Sequence, residues 1–329
     1  MRCLTKEFGE RFSRWLETSR LFRVCRPASC FINSATMGIL IKVFSMTRLF
    51  RFLALIPLPL MQGLGAGLGW LVWLLSASYR HQFHRQIQAA GLTWAQTRDA
   101  VSATGKMVAE LPWLWTRAQG KSVLPRVQWT GLGHFEEAMQ AGKGVILLSP
   151  HLGCWEMGGQ ALAEKMGPYF GDLLALYRPP RKAWLQEVVG LSRQRQYFKT
   201  ASASLRGVRA LVKHLRAGGY TAILPDQVPP DGQGVWAPFF GRPVYTMTLL
   251  PKLAQQTGAT VLLAWCERLD AGRYVFHVLP PSLQALNQAN TTPEQAAQLM
   301  NQAIESMVLT RPDQYLWGYA RDKQPRAGD

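Results

Sequence analysis

The chain has 329 residues, of which 37 are Lys or Arg and 20 are Asp or Glu, giving a formal charge of +17 with neutral histidines. Only 17% of residues are charged and 48% are hydrophobic, which excludes a disordered polyelectrolyte or a histone-like tail and gathers the excess charge into patches. The length suits one large domain with attachments, or two, and the basic balance requires an anionic partner: nucleic acid, an acidic membrane face, or acidic proteins and substrates.

Residues 1–51 hold ten basic and three acidic residues. A basic N-terminal extension (1–45) without a hydrophobic period therefore comes first, and Met37 and Met46 are alternative starts. From Phe52 to Ser78 there is no charged residue, and as a helix this run reaches roughly 40 Å. A membrane anchor over 46–78 is expected, with a buried core helix as the competing reading. Ser76-Ala77-Ser78 resembles a signal-peptide cleavage site, but the run exceeds the usual apolar core of about 7–15 residues. Arg48 and Arg51 precede it and Arg80 and Arg85 follow it, so the positive-inside rule assigns no orientation. Pro57, Pro59 and the glycines at 63, 65, 67 and 69 weaken a straight helix, and the glycines suit helix packing better than a dinucleotide loop.

Residues 79–329 form the main domain. Arg80–Gln119 reads as amphipathic helix with a break at Pro112. Beyond it the period alternates: strand Val123–Trp129, helix His134–Gln140, strand Gly144–Ser149, helix Cys154–Lys165, strand Leu173–Tyr177 and helix Lys182–Arg195. Helix Leu205–Arg216, strand Tyr220–Leu224, helix Thr248–Thr257 and strands Thr260–Cys266 and Tyr274–Val278 follow. Thr292-Pro-Glu-Gln295 carries a capping box with proline at the first helical position, so a helix should run to about Leu309. The pattern predicts an α/β fold, a central mixed sheet with flanking helices, plus the N-terminal anchoring helix.

Chemistry concentrates after the strand at 144–149, where Ser149-Pro150-His151 leads to Glu156. Five residues on a regular helix leave two side chains about 140° apart, so His151 must sit on the strand-to-helix turn to meet Glu156. Such a pair makes a general base: the carboxylate fixes the tautomer and the other imidazole nitrogen takes a proton. A solvated turn histidine beside a surface glutamate fits the spacing equally well. H-E-x-x-H does not occur and no second histidine is nearby, so no metal is expected, and the lack of G-x-S-x-G disfavours a nucleophile-elbow hydrolase. Five scattered cysteines (Cys3, Cys25, Cys30, Cys154, Cys266) lack C-x-x-C spacing and fit a reducing compartment. Ten basic residues against Glu187 alone fill Arg178–Arg216. Zinc-finger, helix-turn-helix and RNA-binding patterns do not occur, which disfavours nucleic acid.

Several blocks in order resemble the bacterial lipid A late (secondary) acyltransferase family, lauroyl/myristoyl type, from about Arg48 to Lys323. They are His151-Leu-Gly-Cys-Trp-Glu156, Tyr177-Arg178-Pro179, Leu224-Pro-Asp226-Gln227, Gly232 to Phe239-Phe240-Gly241, and Arg311-Pro-Asp-Gln-Tyr315-Leu-Trp317 with Arg321 and Lys323. Cys154 stands where the family frequently has asparagine, and Gly318-Tyr319-Ala320 dilutes the basic tail. The resemblance implies a glycerolipid acyltransferase-like fold and an inner-membrane enzyme whose catalytic domain faces the cytoplasm. It implies transfer of a fatty acyl chain from an acyl carrier protein thioester, a co-substrate in place of any cofactor, to a hydroxyl of a lipid A precursor. His151 and Glu156 would be catalytic, with Arg178, Arg181, Lys182, Asp226 and Gln227 binding substrate. Backbone amides near the start of the helix after His151 would receive the oxyanion. A relative acting on another glycolipid or on glycerol phosphate is the alternative.

Overall fold

The computed structural model describes residues 47–118, 120–178, 185–186, 189–190, 195–288 and 290–326. The N-terminal extension, Arg181, Lys182 and most of the helix expected at 182–195 lie outside them.

The apolar run is not one rod. A helical turn ends before Pro57, α1 runs Leu58–Leu75, and Ser76 caps α2, Ala77–Ala89, by accepting from the Tyr79 amide. Helix α3, Asp99–Thr116, passes through Pro112 without breaking. Trp113, Leu114 and Trp115 just beyond it are buried, and this packing outweighs the lost hydrogen bond. Gly65 and Gly69 of α1 lie directly against α3: a methyl group on either, or on Gly105 opposite, would overlap backbone of the other helix. The glycines thus bring two helices of this chain together, and one side of α1 (Leu58, Met61, Gln62, Gly65, Gly69, Trp73) is buried. The other side exposes Leu60, Leu64, Leu68, Leu71 and Leu75.

The sheet comprises β1 (Val127–Thr130), β2 (Val145–Leu148), β3 (Leu173–Tyr177), β4 (Phe198–Ser202), β5 (Tyr220–Ile223), β8 (Thr260–Arg268) and β9 (Tyr274–Val278), ordered β1-β9-β8-β2-β5-β3-β4. All neighbours are parallel except β8 and β9, so the sheet is mixed but mostly parallel. Strand β2, Val-Ile-Leu-Leu, is buried throughout because it is central and covered on both faces. Its Ile146 and Leu148 face α6 (Leu205–Arg216), α7 (Leu249–Thr257) and α8 (Pro293–Thr310), while Val145 and Leu147 face α4 (Leu132–Gln140) and α5 (Trp155–Phe170). Helix α8 begins on the expected capping box at Thr292.

Between β5 and α7 lies a two-stranded hairpin, β6 (Gly234–Phe239) and β7 (Arg242–Met247), turning on Phe240 and Gly241 at φ 45° and 71°. Two positive φ values in a two-residue loop match the twist of paired strands. The Phe240 amide donates to Glu305 of α8 at 2.7 Å. With β2, β3, β4, β5 and β8 parallel, their carboxyl ends share one edge, where open α/β sheets carry their sites.

Candidate active site

At that edge the backbone continues past β2: the Ser149 amide donates to the Ile223 carbonyl at 3.0 Å, then Pro150 and His151 turn the chain into α5. Gly153 adopts φ 65°, and a side chain there would overlap the Cys266 carbonyl. The turn's amides are committed: His151 to Asp226 at 2.8 Å, Gly153 to the Gln314 carbonyl at 3.1 Å, Cys154 to the Cys266 carbonyl at 2.7 Å. Those three amides therefore have partners within the protein.

The carboxylate on the imidazole is Asp226, not Glu156. Asp226 Oδ1 accepts from His151 Nδ1 at 2.7 Å, while its Oδ2 accepts from the His151 amide. Gln227 Nε2 lies 3.1 Å from His151 Nε2. Asp226 leaves β5, the strand beside β2, so sheet order closes a gap of 75 residues that local spacing cannot express. Glu156 sits in the first turn of α5, and its Oε2 accepts from the Trp115 indole at 3.3 Å.

Asp226 is buried, which pushes its carboxyl up. The His151 charge, the two His151 hydrogen bonds and the Arg321 guanidinium overcome this and hold it below the usual carboxylate range. Burial followed by the Asp226 charge drives the Tyr315 phenol well up. Arg321, 2% exposed, donates to the Tyr245 carbonyl at 2.7 Å and to Thr246 Oγ1 at 3.0 Å, and lies over the Phe239 ring. Residues 311–321 therefore fold back onto the turn: Leu152 bridges to Tyr315, and the Tyr319 hydroxyl accepts from the Val228 amide at 2.9 Å. Phe239 is core, while Trp236 is exposed.

Beneath the turn lies a buried polar knot. Glu110 accepts two bonds from Arg268, each 2.7 Å, one from Gln62 of α1 at 2.8 Å and one from Tyr274 at 2.9 Å. Gln314 clamps the Arg268 backbone through both its amide atoms. Cys154 is buried beside this knot, and desolvation followed by the Glu110 charge pushes its thiol well up, which disfavours the thiolate.

An apolar slot of about 840 Å³, counting its open mouth, runs between α5 and the sheet. Leu162, Leu173, Phe198 and Phe276 line it, with Ser149, Glu156 and Tyr177 its polar side chains nearest the strand ends. Gly158 admits the slot's wall, since a Cβ there would press on Cys266 and Phe276. Arg178 is exposed immediately after β3, on the same edge.

A histidine held by a buried carboxylate, beside an apolar slot at the carboxyl edge of a mostly parallel sheet, has the geometry that general-base chemistry requires. A family model, bacterial lipid A biosynthesis acyltransferase, matches residues 34–323, and the chain belongs to that family. It is similar to a lipid A biosynthesis acyltransferase of Haemophilus influenzae, 30% identical over 198 residues, covering 60% of this chain and 59% of that protein. A lipid A biosynthesis lauroyltransferase of Escherichia coli is 24% identical over 285 residues, 82% and 87% of the two chains. A phosphatidylinositol mannoside acyltransferase of Mycobacterium tuberculosis is 30% identical over 145 residues, 41% and 42%. The Haemophilus match spans under two thirds of that relative's length.

The sequence names Asp226 and Gln227 only as strand-end binding residues and gives Tyr315 and Arg321 no role. The signal for Asp226 and Gln227 was a polar pair soon after an apolar strand; Tyr315 and Arg321 stood in a mixed polar and aromatic closing block that singled out neither.

Proposed function

We propose that this chain transfers a fatty acyl group from an acyl carrier protein thioester to a hydroxyl of a lipid A precursor. The observation that carries the reading is the doubly bonded His151–Asp226 pair beside the apolar slot. Asp226 keeps the proton on Nδ1, so Nε2 presents its lone pair. The acceptor hydroxyl displaces the Gln227 amide from Nε2, gives up its proton there, and its oxygen attacks the thioester carbon. The C–S bond breaks, the ester forms, and the imidazolium returns the proton to the leaving thiolate. No covalent acyl-enzyme and no cofactor enters this scheme; the thioester is a co-substrate. Glu156, on the slot's wall, adds a second carboxylate to stabilise the imidazolium, and Gln227 orients the incoming hydroxyl.

Arg178, with Arg181 and Lys182, supplies cations for the oxyanion and the phosphates of the acceptor; a guanidinium fork suits both. The exposed leucines of α1, with Phe52 and Leu55, meet the lipid. Helix α1 rises about 27 Å, but its fixed side on α3 makes it part of the domain rather than a free-standing tether. The inner membrane, with the catalytic domain on the cytoplasmic side, is the location that brings carrier and acceptor together.

The mycobacterial relative supports a second reading, in which the acceptor is a different glycolipid. The test is transfer by purified protein from a carrier-bound acyl chain, with lipid A precursor or phosphatidylinositol mannoside as acceptor, read by mass spectrometry. Acylated lipid A precursor from the wild type and none from His151→Ala supports the first reading. Product only on the mannoside supports the second.

A further inference from the structure

We propose that the outward face of α6 is the docking surface for the acidic carrier protein that delivers the acyl chain; the inference rests on the donor reading above. Arg206, Arg209, Lys213 and Arg216 are spaced three, four and three apart, which puts them in one sector of the helix, and all four are exposed. The opposite sector, Gly207, Leu211 and Leu215, is buried against the sheet. Among the described residues none of the four forms an ion pair. Arg216 gives one donor to the Gln256 carbonyl at 3.1 Å, and no carboxylate stands in the first turn of the helix. Four like charges along roughly 15 Å of helix repel one another and gain most from a partner of opposite sign.

The helix is also in the right place. It starts three residues after β4, whose Thr200 lines the apolar slot, so its first turn, with Arg206, stands at the carboxyl edge of the sheet beside the catalytic turn, while the rest of the helix runs back along the face opposite the slot. Leu205, in that first turn, is 79% exposed and offers an apolar contact beside the cations. A lipid surface fits this face poorly, because a helix lying in a membrane interface turns its apolar side outward, and apart from Leu205 that side of α6 is buried. The stripe suited to lipid is on α1, which meets Tyr274 of β9 through Gln62. From β9 to β4 is five strand spacings, roughly 24 Å, with the catalytic turn between them. Acceptor and donor thus approach from opposite flanks of His151.

The experiment compares the full chain with Arg206→Glu/Arg209→Glu/Lys213→Glu, measuring transfer from the carrier thioester, thermal midpoint, and sedimentation with vesicles of anionic phospholipid. The expected result is a rise of about tenfold or more in KM for the carrier thioester, with kcat, midpoint and vesicle binding little changed. Added salt should raise the wild-type KM far more than that of the variant. An unchanged KM, or a loss of vesicle binding in place of the KM effect, overturns the proposal. A wild type that turns over the acyl-coenzyme A thioester but not the carrier thioester overturns the donor reading itself, an outcome distinct from an unchanged KM.

Discussion

Asp226 holds His151 at two points, the ring through Nδ1 at 2.7 Å and the backbone through its amide at 2.8 Å. One carboxylate therefore fixes both the position of the turn and the tautomer of the ring. Replacing Asp226 by Asn keeps the size but removes the charge that balances an imidazolium, so kcat should fall by about 10²–10⁴ while KM changes little. Glu156→Gln leaves Asp226 in place and should cost less. Steady-state transfer kinetics on folded variants decide it: a larger loss for Glu156→Gln than for Asp226→Asn would return the orienting role to Glu156.

The knot under the turn gives a pH prediction. Burial pushes the Glu110 carboxyl up, but the Arg268 charge and hydrogen bonds from Arg268 and Gln62 pull it further down, so the folded value lies below the ordinary one. A depressed carboxylate contributes stability fully above its unfolded value, about 4.3, and loses it as pH falls through the lower folded value. Glu110→Gln leaves the Arg268 charge buried without its partner and should cost about 3–5 kcal/mol at neutral pH. The difference from wild type should shrink below about pH 4. Urea midpoints of both proteins from pH 3 to 7 test it, and a constant gap would mean that the ionised pair is not what stabilises the fold.

The strands at 173–177 and 274–278 and the helix at 205–216 were readable to the residue, because a continuous apolar run, a β-branched and aromatic run, and a clean 3.6-residue period mark them in turn. Strand β4, Phe-Lys-Thr-Ala-Ser, was not: it is a short edge strand with exposed Lys199 and Thr200. The β6–β7 hairpin was hidden by Pro238 and Pro243, which face each other across it and argue against strands in any sequence reading. At the site, His151 was legible from its position after an apolar strand. Its carboxylate partner was not, because Asp226 becomes its neighbour only once β5 takes its place beside β2. A local pattern offered Glu156 instead; the carboxylate that hydrogen-bonds the imidazole is the one that strand pairing supplies.

Helix α1 separates packing from lipid contact on one element. Gly105→Leu would force α3 away from the backbone of α1 and should destabilise the domain by more than about 3 kcal/mol, since both helices meet there on backbone atoms. Leu64→Gln/Leu68→Gln/Leu71→Gln removes only exposed apolar groups and should leave the thermal midpoint nearly unchanged while weakening vesicle binding severalfold. Thermal melts and vesicle sedimentation on the two variants check this. Equal vesicle binding by the triple variant and wild type would remove α1 from the lipid-facing surface.

The slot between α5 and the sheet should set the length of chain transferred. Leu162 of α5 and Leu173 of β3 lie across it, and both are nearly or fully buried. Leu162→Trp fills space without touching His151, Asp226 or the turn, so the group that fits should shorten by about two to four carbons, at roughly 0.8 kcal/mol of burial per methylene lost. Its chemistry with the shorter chain should remain close to wild type, because the base and its carboxylate are unmoved. The converse change, Leu162→Ala, opens the slot and should extend tolerance to longer chains at a cost of about 2–5 kcal/mol in stability. Competition between carrier thioesters of graded length, with products separated by mass, measures both shifts. Parallel loss of all chain lengths in Leu162→Trp, without a change in preference, would place the acyl chain elsewhere.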